Sequence, residues 1–205
     1  MSQKVVIYCS ANFTQSEGGT PISLAMVHPG GRWVYAEAAD IEPETCDERA
    51  RDVCLPVLRR IPGTNFVQAE KMAEMGSKFI SMLNPCEVED VVIRTASPSL
   101  SMHDFFFQVR KLTGQTVRLQ VVDVNQENFV DFLRHCGGVE KTEGHALLHA
   151  VATALCDVNR EVPTSFHEAS IFHLELLLGS KNATSYRAWA RAMERHWDAL
   201  QQAAA

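Results

Sequence analysis

KVVIYCSANFT, residues 4–14, decides how the rest of the chain is read. Val5, Val6, Ile7 and Tyr8 make a continuous β-branched and aromatic run, the composition of a strand covered on both faces. The stretch therefore predicts a central first strand that finishes in short polar side chains, Ser10 and Asn12.

Downstream, PISLAMV and RWVYAEA are joined through HPGG, so residues 1–38 read as three consecutive strands. A helix is predicted from Glu42–Thr45, with Pro43 in its first turn, acids at the positive end of its dipole and Pro56 to kink or end it. A second helix is predicted over Val67–Leu83. Residues 84–102 read as irregular, with a short strand around Val91–Ile93, because Pro98 and its serines oppose regular structure. The pattern then gives a helix His103–Leu112 capped by Gly114, a strand Thr116–Val124 and a helix carrying Phe129, Phe132 and Leu133. An alanine- and leucine-rich helix follows over Glu143–Asn159, with Thr142 as its cap. Phe166–Leu178 and Thr184–Gln202 read as two amphipathic helices.

The 205 residues, 46% hydrophobic and 21% charged, fit one folded domain with a small helical appendage. A net charge of −6 gives no global electrostatic reason to bind nucleic acid and leaves only a local basic groove for that purpose. Six cysteines without a CxxC pair, and an N-terminus without the layout of a signal peptide, lead to the expectation of a reduced, cytoplasmic setting. No apolar run approaches the length of a membrane span, so no membrane partner is expected.

The stretch IYCSANFT…PISLAMVHPGGRWVYAEAADIEPETCDERARDVCLPVL resembles the N-terminal half of small DEDD-type 3′–5′ exonucleases, in particular their exoribonuclease-like branch. That branch has an Asp-x-Glu-Phe strand, an ISIG-L-V strand, a glycine turn, a YA-E strand and a helix ending in V-LP-L. GHALLHAVATAL resembles the family's last helix, His-x-Ala-Leu-x-Asp-Ala. The likeness covers roughly residues 4–58 and 117–156. It implies an α/β, RNase H-like fold over 1–160: a five-stranded mixed sheet flanked by helices on both faces, with a C-terminal helical extension over 161–205.

The resemblance also sets Ser10 and Asn12 at the two carboxylates of the first strand, Gly144 at the general-base histidine and His149 at the last metal-binding aspartate. The second aspartate falls at Glu127, or at Asp123 if the register shifts. Family members hold two divalent cations with carboxylates, and hard ions such as Mg²⁺ want several oxygen ligands. Neutral side chains at Ser10, Asn12 and His149 lead to the expectation of a catalytically degenerate relative that needs no cofactor. Its cleft would bind a nucleic-acid 3′ end, a nucleotide or a partner protein.

The alternative is an active nuclease or phosphodiesterase with a rebuilt Mg, Mn or Zn site drawn from Glu127, Asp123, His145 and His149. The two histidines stand at i and i+4 and share a helix face. Paired helical histidines are more often packing residues. A nucleophilic Cys9 with His149 as base is a weaker reading, because free cysteine is usually a buried small hydrophobe. Arg49, Arg51, Arg59 and Arg60, and likewise Arg187, Arg191 and Arg195, read as phosphate patches or, more simply, as solvated helix faces. Phe105, Phe106 and Phe107 cannot all face one way on a helix, so the core takes at least one of them.

Overall fold

The structure, a computed structural model, describes residues 4–30, 32–58, 64–86, 90–135 and 144–157. Six strands form one mixed sheet: β1 (Lys4–Phe13), β2 (Pro21–Val27), β3 (Trp33–Ala38), β4 (Asn65–Val67), β5 (Asp90–Thr95) and β6 (Val117–Val121). Their order is β4-β3-β2-β1-β5-β6. β2 runs antiparallel to β1 and β3, whereas the β3–β4, β1–β5 and β5–β6 pairs are parallel.

The expected five-stranded sheet is corrected to six. β4 is only three residues long, too short to show an alternating pattern, and it begins just before the helix that was expected to start at Val67. That helix, α1, runs Met72–Leu83. Between β3 and β4 the single expected helix is broken into a 3₁₀ turn at Pro43–Thr45, a π-turn at Ala50–Cys54 and a second 3₁₀ turn at Leu55–Val57. Pro56 has no N–H with which to extend a regular ladder.

Among the described residues three further helices are α2 (Leu100–Thr113), α3 (Gln126–His135) and α4 (Ala146–Cys156). α2 begins a turn earlier than expected, because the Ser99 hydroxyl accepts from the Met102 N–H; Gly114, at φ 68°, ends it. The strand expected over Thr116–Val124 stops at Val121. Thr142 and the helices expected over 166–178 and 184–202 lie outside the described residues.

Alternation along the strands builds one apolar layer on each face. Val5, Ile7 and Cys9 of β1 join Leu24, Met26 and Ile93 against Ile80, Phe105 and Val109 of α1 and α2. On the other face Tyr8 joins Ala25, Val27 and Tyr35 against α4 and Phe132 of α3. The continuous apolar run of β1 thus reflects cover on both faces. Phe105 and Phe106 are core, and Phe107 is exposed beneath the Lys111 ammonium. Among the described residues no helix is long and apolar enough to cross a membrane.

Candidate functional site

Asn12 is buried near the end of β1, directly opposite Ser23, which in turn lies opposite Glu37 on β3. These three side chains form a polar row on the sheet face that α4 covers. The Asn12 amide donates to the Ser23 hydroxyl at 2.9 Å and also to the backbone carbonyl of Gly144. Ser10, half-buried, stands one step along the same face of β1, opposite Ala25.

Gly144 has φ 77°, a left-handed conformation that side chains rarely tolerate. A Cβ there would also lie 2.5 Å from the Val53 carbonyl oxygen. The lead into α4 is thus pressed backbone to backbone on the Ala50–Cys54 turn. Only glycine fits where the resemblance places a general-base histidine.

The next residues carry the rings. His145, buried, stacks on Tyr35 with centroids 5.3 Å apart and planes 21° from parallel. The Tyr35 hydroxyl donates to Glu37 Oε1 at 2.8 Å. Burial, and then the charge and hydrogen bond of Glu37, raise the tyrosine pKa far above its ordinary value, so Tyr35 remains a donor.

His149 is one turn further along α4 and meets Phe129 of α3 edge-on at 5.3 Å. Its Nε2 is buried and makes no hydrogen bond. Burial, and then the charge of Arg49, push its pKa down to about 4, so the ring is neutral near pH 7.

The far end of α4 is tied to the same strand. The Tyr8 hydroxyl donates to Asp157 Oδ2 at 3.0 Å, and the Arg94 guanidinium donates to that oxygen at 3.1 Å and to the Tyr8 hydroxyl at 3.2 Å. Burial above all pushes the Tyr8 hydroxyl up to about 12. α4 is therefore held over β1 by polar contacts at both ends.

The acids named from the sequence lie elsewhere. Glu127 is exposed in the first turn of α3, two residues before Phe129, and positions i and i+2 point to opposite sides of a helix. With Phe129 turned to His149, Glu127 faces away, beside Asn128, Asp131 and Arg134. Asp123 is exposed between Val122 and Val124, which are buried. The structure thus brings Asn12 to Gly144 and places Ser10, His145 and His149 on this side of the sheet, but does not bring Glu127 or Asp123 to them. Among the described residues no three His, Cys, Asp or Glu side chains gather in a group able to hold a metal ion.

The donor set fits two hard cations poorly. Ser10, Asn12 and His149 carry no negative charge, and Asn12 presents its amide N–H groups, not an oxygen, to its neighbours. Cys9 is corrected as a partner for His149: it is fully buried on the α1–α2 face, and burial raises its thiol pKa far above the ordinary range.

Sequence reasoning missed Glu37, Tyr35, Arg94 and Asp157. A lone acid inside the apolar strand WVYAEA was the signal for Glu37. For Asp157 it was an acid at the C-terminal end of a helix, where the dipole disfavours it unless a cation compensates. On the opposite side of the sheet a cleft of about 420 Å³ opens between Phe13, Gly19, Glu70, Ser101, Asp104 and Phe105, separate from the α4 side. No protein-family model matches the sequence, and no curated protein matches it.

Proposed function

We propose that the chain is an RNase H-like, DEDD-exonuclease-like protein that lacks two-metal catalysis and uses the α4 side of the sheet to hold a nucleic-acid end. One observation carries this reading: Asn12, at a position the resemblance gives to a metal-binding carboxylate, donates its amide to the Gly144 carbonyl. A carboxylate in that place would set a negative oxygen against a carbonyl oxygen. The site is thus built around a neutral donor and disfavours the ionised acid that metal binding needs. The inner position of β1, with helices on both faces of the sheet, supports the RNase H-like part of the reading.

What the residues can do without metal is bind. Asn12, Ser10 and His149 are neutral, and Arg49 supplies a positive charge that reaches His149. Phosphate oxygens are attracted by that charge.

The test incubates the full chain with labelled single-stranded DNA and RNA in Mg²⁺ and in Mn²⁺, then measures both trimming and retention. Retention without 3′-end trimming is expected. Trimming that disappears in Glu127→Gln would sink the reading in favour of a rebuilt metal site.

A further inference from the structure

We infer that the cleft on the α1–α2 side of the sheet binds a small aliphatic polyamine, a molecule with two or more ammonium groups on a methylene chain. The site is separate from the α4 side, and the inference does not depend on the reading of that side. The cleft holds about 420 Å³, within the roughly 300–1,000 Å³ of small-molecule sites. It opens where three segments meet: the end of β1 with its turn into β2, the Ala69–Lys71 3₁₀ turn that leads into α1, and the first turns of α2.

The walls are fastened to one another. The Gly19 N–H donates to the Ser101 hydroxyl at 2.9 Å, and that hydroxyl donates to the Gln15 carbonyl at 2.9 Å, so the glycine turn is fixed on α2 before any ligand arrives. The floor is apolar. Phe13 and Phe105, both buried, meet edge to face with ring centroids 6.1 Å apart. Such a floor takes methylene groups out of water and attracts a cation to its ring faces.

Charge then selects the ligand. Glu70, from the turn before α1, and Asp104, from α2, both line the cleft and are exposed, and among the described residues neither makes an ion pair. The described lining residues include no Lys, Arg or His. Helix N-termini favour anions, but two of them contribute only about half a positive charge each against two full carboxylate charges. The cleft stays negative. N–H groups at both helix starts are also already taken, since Asp40 accepts from the Ala69 N–H at 2.9 Å and Ser99 from the Met102 N–H at 3.1 Å. An anion would meet repulsion there. Two carboxylates from separate elements, with an apolar floor, match a molecule whose ammonium groups are separated by methylenes.

The experiment titrates the full chain with spermidine and with butylamine by calorimetry, at pH 7.5 and about 0.15 M salt, where exposed charges beyond about 8 Å are screened. Saturable one-to-one binding of spermidine is expected. Butylamine, which can engage only one carboxylate at a time, should bind about tenfold more weakly or worse. Glu70→Gln combined with Asp104→Asn should weaken spermidine binding about tenfold or more. Asp123→Asn combined with Glu127→Gln removes two exposed acids outside the cleft and should leave it within about twofold of the parent. All four acids are exposed, so neither pair of changes disturbs the core, and melting curves check that both proteins fold.

Absence of saturable spermidine binding overturns the inference. So do equal losses in the two double variants, the result of non-specific attraction to a chain of net charge −6. Butylamine binding as tight as spermidine binding also overturns it, because the second carboxylate would then select nothing.

Discussion

The two faces of the sheet are built on opposite principles. Against α1 and α2 the strands present Ile7, Cys9, Leu24, Met26 and Ile93, and the layer is predominantly apolar. Against α4 the same strands present Asn12, Ser23, Tyr35 and Glu37 at one end and Tyr8 with Arg94 at the other. Burying polar groups costs free energy that bonds inside the protein only partly return, so a layer selected for stability alone would resemble the first face. The contrast teaches that α4 adds direction-specific bonds with strand side chains to its apolar packing, while α1 and α2 meet the strands mainly through apolar side chains. A helix held in that way keeps a fixed register over β1, which a binding site needs and a core does not.

The largest expected effect follows from breaking the polar tie at the C-terminal end of α4. Asp157 is fully buried, and its carboxylate receives both Arg94, largely buried itself, and Tyr8. Asp157→Ala removes the charge that Arg94 faces and should lower the unfolding free energy by about 3–5 kcal/mol. Chemical denaturation checks it. A loss below about 1 kcal/mol would show the tie to be no stronger than a surface ion pair and would erase the contrast between the faces.

The next effect is in the pH dependence, which His149 brings to one face only. Its pKa is about 4 in the folded protein, against an ordinary 6.5. Between those values the unfolded chain binds a proton that the folded one does not. Stability is therefore complete above about pH 6.5, falls as pH drops through that value and levels off below about 4, for a total on the order of 3 kcal/mol. Between pH 7 and 5.5 the parent should lose about 1 kcal/mol more than His149→Gln. Equal slopes for the two proteins would place the imidazole in water.

β1 and its double cover were legible because a continuous apolar run has one physical explanation, burial on both faces. The Gly114 cap was legible for a similarly local reason, the need for a positive φ at a helix end. β4 was not, since three residues carry no period. Of the site, the meeting of Asn12 with Gly144 was anticipated from the resemblance, but the role of Gly144 as a backbone contact was not, because its neighbour Val53 is 91 positions away in sequence. Glu127 shows the limit most clearly: a shift of two positions on α3 turns a side chain from the site to the opposite side. Glu37 was readable as a lone acid among apolar residues, yet its partner Tyr35 becomes evident only from the direction of the two side chains on β3.

The smallest expected effects come from a matched pair of conservative changes, one on each face. Ile93→Val removes one methylene from a fully buried position against α1 and α2 and should cost about 1 kcal/mol. Asn12→Asp keeps size and shape but replaces the donor to Gly144 with an acceptor, which should cost about 1–3 kcal/mol near pH 7. If Asn12→Asp is instead as stable as the parent and gains Mg²⁺ binding, the amide is not a committed donor and the cleft is one substitution from a metal site. Measured melting curves with and without Mg²⁺ decide between the two outcomes, because an ion that binds only the folded form raises the midpoint with its concentration.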